Sequence, residues 1–309
     1  MATTTSITTT YAGEFAGKYI SAALLGGTTL SQGLITIKPN IKYKEVVKKL
    51  ATDGIVKNAD CDFSPTSTIT LTERIIQPEE FQVNLQLCKK NFIDDWEAIS
   101  MGYSAYSDLP KTFSDYLIGH VAAKVAAKIE NNIWSGANAT TGEFDGFSVT
   151  LAADGDVVDV TATTVTAANV VTELGKVVDA IPAAVYGSED LTIYAPANVY
   201  RAYIRALGGF GSSGLGGSGT DAKGTQWYSE GQGLQFDGIP IVLAQGLASN
   251  EAVAAEKSNL WFGTGLMSDQ NEVKVIDMAD IDGSQNVRIV MRFTAGIQHG
   301  IGSDIVYYA

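Results

Sequence analysis

"LITIKPNIKYKEVVKKLATDGIVKNADCDFSPTSTITLTERII", from Leu34 to Ile76, decides how this chain is to be read. Its last part alternates with a period of two: Thr68, Thr70 and Thr72 fall on one side, Ile69 and Leu71 on the other, as in a β-strand. The first part is strand-like too, and turn residues lie between. Six lysines (Lys38, Lys42, Lys44, Lys48, Lys49 and Lys57) and Arg74 stand against Glu45, Asp53, Asp60, Asp62 and Glu73, a local cationic excess in a chain whose net charge is −13. The pattern predicts a long basic hairpin. With about twenty residues per arm it would reach ~65 Å at ~3.3 Å per residue. A lone hairpin is marginal in water, so this one needs another surface to lie on.

Working outward, Met1 to Gly33 carries two triple-threonine runs and small residues without helical periodicity, which reads as an extended arm. After the hairpin, "FQVNLQLC" (Phe81 to Cys88) is an amphipathic strand with Phe81, Val83, Leu85 and Leu87 on one face. "NFIDDWEAI" changes to helical spacing through Phe92, Trp96 and Ile99. Thr112 and Asp115 then form a capping pattern that opens a long helix, with Ile118, Val121, Val125, Ile129 and Ile133 inward and Gly136 as its stop. About 23 residues give ~35 Å of helix.

Beyond Gly142 the texture is α/β. Strands are predicted at Asp156–Val160 and Leu191–Ala195, and helices at Thr166–Ile181 and at "ANVYRAYIRAL", opened by Pro196. "FDGIPIVLA", "NLWFG", "EVKVID", "NVRIVMRF" and the tail "GIGSDIVYYA" read as further strands. Between Ala137 and Ala195 there are nine acids and one base, Lys176.

The chain has 309 residues, 45% hydrophobic and 18% charged, enough to bury a sizeable core. Its acidity argues against a module that grips nucleic acid, which needs Lys and Arg on phosphates, but not against a protein that encloses it. The first cation is Lys18, so there is no basic signal region, and no apolar run approaches the ~18 residues of a membrane span. The expectation is a soluble protein made in the cytosol, with Cys61 and Cys88 as free thiols.

"GGFGSSGLGGSG" (Gly208 to Gly219) contains G-x-G-x-x-G twice, at Gly209-Gly211-Gly214 and at Gly214-Gly216-Gly219. A dinucleotide fingerprint follows a strand and opens a helix; these glycines follow a helix, and what comes next has no helical period. The segment reads as a flexible loop. His120 and His299 are the only histidines, too few for a His-based metal site, and no G-x-S-x-G elbow is present. The acid groups Asp154-Asp156-Asp159 and Asp277-Asp280-Asp282 lack calcium-loop spacing and read as solvated loop acids. Asn138-Ala139-Thr140 fits a glycosylation acceptor only in a secreted chain, and Trp227-Tyr228 reads as packing. No catalytic, cofactor or metal residue is assigned.

The order of these pieces carries a resemblance. A small-residue arm, a basic hairpin, "FQVNLQLCKKNFIDDW", a long capped helix ending "AAKIENNIWSGAN", then "LTIYAPANVYRAYIRAL", "LQFDGIPIVLA", "NLWFGTG" and "RFTAGIQHGIGSDIVYY" together resemble the major capsid proteins of tailed double-stranded DNA phages. The resemblance implies the α+β, Hong Kong 97-type shell fold over nearly the whole chain. It implies an N-terminal arm at 1–33, the extended loop at 34–76, a peripheral domain at 77–146 with a spine helix at 112–135, an axial domain at 147–285, and closing strands at 286–309.

On this map the hairpin residues Ile37, Lys38, Ile41, Lys42, Lys44, Val46, Val47, Lys48, Lys49, Leu50 and Lys57 would meet a neighbouring subunit, with Asp94, Asp95 and Glu97 as acidic partners. Gly209, Phe210, Gly211, Gly214, Gly216 and Gly219 would lie at the capsomer centre. The cleaved scaffolding segment of some members is not expected here, and the acceptor and acid of cross-linking members find no residue-by-residue match, so no cross-link is expected. The expected function is a non-enzymatic shell subunit. It would be made in the host cytoplasm and found in the virion, with itself, portal, scaffold and decoration proteins as partners, enclosing DNA, with no cofactor and no membrane. The alternatives are an encapsulin-type compartment shell, a nucleotide-dependent α/β enzyme using the glycine loop, and another virion component such as a tail protein.

Overall fold

A computed structural model describes residues 28–52, 55–59, 61, 65, 69–88, 111–207, 234–265 and 274–309. In chain order the first elements are a helical turn α1 (Thr28–Ser31) and strands β1 (Thr36–Lys38), β2 (Glu45–Thr52), β3 (Ile69–Ile76) and β4 (Glu79–Cys88). Helices α2 (Lys111–Ser135) and α3 (Phe147–Ala152), strand β5 (Val158–Val160), helix α4 (Val170–Asp179), strand β6 (Leu191–Ala195) and helix α5 (Ala197–Leu207) follow. The rest is strand-rich: β7 (Gln235–Phe236), β8 (Ile239–Leu243), β9 (Ala252–Glu256), β10 (Leu260–Gly263), β11 (Lys274–Asp277), a short helix α6 (Ala279–Asp282), β12 (Asn286–His299) and β13 (Val306–Tyr308). The chain divides into two units, one holding Glu80–Ile129 and Leu266–Thr294, the other Thr28–Glu79, Glu130–Gly265 and Ala295–Ala309.

The second unit is built on a sheet of order β5-β13-β9-β6-β8-β7. β13 runs parallel to β5 and β8 parallel to β6, while β9 lies antiparallel between β13 and β6. All five residues of β6 are buried, as a strand covered on both faces requires. One cover is helical. Val170, Leu174, Val177 and Val178 of α4 and Val199, Ala202 and Tyr203 of α5 share one apolar cluster with Leu191 and Ile193. Their three-and-four spacing comes straight from the sequence. The start of α4 is pinned by Asn169, whose Oδ1 accepts from the Thr166 N–H at 2.7 Å. Elsewhere in the unit Trp134 packs against Tyr194 and Phe147 with ring centres 4.9 and 5.4 Å away, and the Tyr194 hydroxyl donates to the Leu34 carbonyl.

In this unit, too, the Glu130 carboxylate accepts from the Thr29 N–H at 3.0 Å and from its hydroxyl, while Trp134 Nε1 donates to the same hydroxyl at 2.9 Å. Burial raises the Glu130 pKa, against the opposing pull of these Thr29 and Trp134 hydrogen bonds. β1 pairs in parallel with β10, and β10 pairs antiparallel with the end of β12.

In the first unit β11 pairs antiparallel with the start of β12, from Lys274↔Val290 to Asp277↔Val287, and β4 also pairs with β12. Phe81 stacks on Phe293 at 5.6 Å, and Arg288 Nε donates to Gln86 at 3.1 Å. Leu85, expected on the inward face of β4, is exposed. No described helix is long and apolar enough to cross a membrane.

Candidate inter-subunit surface

β2 and β3 form a two-stranded antiparallel ribbon, in register from Glu45↔Ile76 through Lys48↔Glu73 to Thr52↔Ile69. Directly opposite residues share a face. One face therefore carries Val46 and Lys48 on β2 against Ile75 and Glu73 on β3, with Leu71 and Ile69 continuing that face of β3. Its described apolar members, Val46, Ile75, Leu71 and Ile69, are 45–69% exposed. Lys48 and Glu73 lie across from each other on that face at 3.8 Å, both well exposed, so their attraction is weak. Among the described residues nothing covers this apolar stripe.

The other face turns to the chain's own body at its root. Ile76 is fully buried, and it can approach β10 closely because residue 263 is glycine: a Cβ there would sit 2.7 Å from Ile76 Cδ1 and 2.9 Å from Ile41 Cδ1. Gly296 gives similar access, since its Cβ would come within 2.9 Å of the Pro78 Cα. Gln298 Nε2 donates to the Ile75 carbonyl at 3.1 Å. Between the ribbon and the body, Val47, Lys48, Lys49 and Arg74 line a cavity of about 360 Å³ together with Glu256 and Trp261.

The root is fixed by Asp154. One carboxylate oxygen accepts from the Arg74 guanidinium and from His299 Nε2, the latter at 2.7 Å, while the other accepts from the Asp156 N–H at 3.1 Å. Although burial pushes the Asp154 carboxyl up, the His299, Asp156 and Arg74 interactions outweigh it and hold the pKa below the ordinary carboxylate value. Burial and then the nearby Arg74 charge lower the His299 pKa, against the pull of Asp154.

The expected surface is thus redistributed. Ile37 and Lys38 lie in β1 and pair with Phe262 and Gly263, not on the ribbon. Lys38 Nζ sits 4.3 Å from the Trp261 ring centre and 3.1 Å from Glu45. Ile41 is buried, with its N–H donated to the Thr264 carbonyl at 3.1 Å. Residues 36–38 pair with β10 of their own chain, and the ribbon starts at Glu45 with arms of eight residues each. Val46, Val47, Lys48, Lys49 and Leu50 do lie on β2. Lys42 and Lys44 are exposed just before it, with Lys44 Nζ 5.3 Å from the Tyr43 ring centre, and Lys57 is exposed beyond it. The members that sequence reasoning left out, Ile69, Leu71 and Ile75, sit on the partner strand; the alternation was visible there, but the register that stacks them with Val46 was not.

Asp94, Asp95 and Glu97, like Gly209, Phe210, Gly211, Gly214, Gly216 and Gly219, lie outside the described residues. Among the described residues no three His, Cys, Asp or Glu side chains gather as a metal site. Cys61 and Cys88 are not disulfide-bonded, and the amide of Asn138 is engaged by Glu79 at 2.6 Å.

No family model and no curated protein sequence matches the chain. Solved structures do. A chain from the capsid of the native GTA particle superposes with a TM-score of 0.62 at 14% identity, covering 93% of this chain and 91% of that one. One from the capsid of Myoviridae phage XM1 gives 0.57 at 15%, and one from Mycobacterium phage Ogopogo 0.56 at 15%, each covering 92% of both chains. The chain therefore has the α+β fold of phage capsid proteins.

Proposed function

We propose that this chain is a structural subunit of an icosahedral phage capsid, assembling as hexamers and pentamers into a shell that encloses double-stranded DNA. The observation that carries the reading is the bare stripe of Val46, Ile69, Leu71 and Ile75 on a ribbon only two strands wide. Such a ribbon gains little by itself, and burying its stripe on another copy gives about 25 cal/mol per Å² of apolar surface removed from water. Lys42, Lys44 and Lys49 then meet acidic surface next door, for which Asp94, Asp95 and Glu97 are the candidates. Each exposed pair contributes about 0–1 kcal/mol, so the apolar stripe carries the contact and the charges select the partner. The fold likeness to capsid chains over more than nine-tenths of the length supports the same reading.

The domain map follows it: arm at 1–33, extended loop at 34–76, peripheral domain at 77–146, axial domain at 147–285 with its glycine loop at the capsomer centre, and closing strands at 286–309. The protein has no catalytic role, is made in the host cytoplasm and resides in the virion. It meets portal, scaffold and decoration proteins. Negative-stain microscopy of the purified chain tests this: closed particles or capsomer rings are expected, and a chain that stays a single copy at every concentration contradicts it.

A further inference from the structure

Resting on the shell-subunit reading, we infer a second inter-subunit contact, far from the ribbon in sequence. The outer face of α5 in one copy binds the α4–β6 connection of the next. α5 is amphipathic: Val199, Ala202 and Tyr203 are buried, whereas Arg201 and Arg205, four apart and so on one face, point away from the core with exposed side chains. Leu207, at the end of the same helix, is 39% exposed. The helix contains no acid.

The α4–β6 connection has the opposite character. Glu189 and Asp190 are exposed there, and Tyr186 is 52% exposed. They belong to the stretch from Ala137 to Ala195 with nine acids and one base, and that base, Lys176, is held by Glu173 at 2.9 Å. Lys176 is therefore not available to Glu189 and Asp190.

The placement is set by topology. α4 and α5 both cover the sheet that holds β6, and α5 runs back alongside it. Eleven helical residues and five strand residues each span about 16 Å, so the last turn of α5 and the connection before β6 lie at the same end of the layer. They do not pair within the chain: Arg205, Glu189 and Asp190 have no ion-pair partner among the described residues. Arg201 only donates Nε to the Ala197 carbonyl at 2.9 Å.

The occupant of the arginine face is thus a surface with paired carboxylates, an exposed aromatic ring for a guanidinium to lie on, and room for Leu207. The connection of a second copy supplies the carboxylates and the ring. Because the two patches differ, the contact is head-to-tail, and such contacts close into rings when the rotation permits.

Charge reversal tests it with variants whose changed residues are all exposed, so each should melt as the wild type does. Arg201→Glu with Arg205→Glu, and separately Glu189→Lys with Asp190→Lys, should each raise the concentration needed for assembly about tenfold or more, read by sedimentation velocity. Mixed in equal amounts, the two variants should assemble again, because each then offers the other an opposite face. Variants that assemble like the wild type, or a mixture that fails to recover, would overturn the contact while leaving the shell reading intact. A wild type that never assembles would remove the shell reading, and this contact with it.

Discussion

The six-stranded sheet and the β2–β3 ribbon are made of similar residues and reach opposite outcomes. In β6 every one of the five residues is buried, helices cover one side, and Trp134 packs against Tyr194. In the ribbon the only fully buried described side chain is Ile76, at the very root, and Val46, Ile69, Leu71 and Ile75 remain open. Valine, isoleucine and leucine prefer a covered, pleated surface wherever they occur. What differs is whether the chain supplies the cover itself. Among the described residues the sheet has its cover, whereas the ribbon's stripe does not, and the proposed function gives that cover to a second copy.

That contrast can be broken by exchanging the consequences of mutation between the two regions. The largest effect is expected in the ribbon on assembly: Ile69→Asp with Leu71→Asp should abolish particles in micrographs while leaving the melting of the single chain nearly unchanged. Next comes the sheet. Ile193→Ala removes a fully buried side chain and should cost about 2–5 kcal/mol in denaturant unfolding. In the dilute single chain Leu71→Ser should stay within about 0.5 kcal/mol, as exposed substitutions do. Equal losses at the two sites would erase the distinction.

Asp154 joins the two behaviours, since it ties the ribbon's Arg74 to the buried His299. Asp154→Asn keeps the shape and removes the charge. It should cost about 1–3 kcal/mol, the range for hydrogen bonds to charged groups, toward the lower end because Arg74 is partly exposed. The loss should appear as faster amide exchange at residues 73–76 before the sheet is affected.

The smallest effect is a pH dependence. The depressed Asp154 pKa means its stabilisation is complete above the unfolded value and is lost as pH falls through the lower folded value. His299 is also depressed, so below about pH 6.5 the unfolded chain takes up the proton first and stability falls in the same direction. Glu130, whose pKa is raised, acts oppositely, relieving some cost as pH falls toward its folded value. Melting temperature should therefore decline on the acid side, and less steeply in Asp154→Asn; identical acid limbs in the two proteins would remove Asp154 from this role.

The sequence made visible whatever depends on neighbours along the chain. The period of two in Ile69 and Leu71, the inward positions of α4 and the strand at β6 could each be read directly. Ile37 and Ile41 could not be told from ribbon residues, because alternation looks the same whether a strand's partner is the next strand or β10, more than two hundred residues away. Asp154 read as a solvated acid for the same reason, with Arg74 and His299 distant in sequence on either side. The six residues of α3, rich in β-branched and aromatic side chains, give no helical signal of their own. As for the surface, its lysines were legible as charge, whereas the stripe formed by Val46 and Ile75 required the register.

Hydrogen exchange of the ribbon, followed in dilute single chains and again in assembled particles, tests the central claim most directly. Amides at 48–50 and 71–73 should exchange far faster than those at 191–195 in the single chain, and slow by about a hundredfold or more once particles form. Ribbon amides already as protected as the sheet in the single chain, or unchanged by assembly, would contradict it.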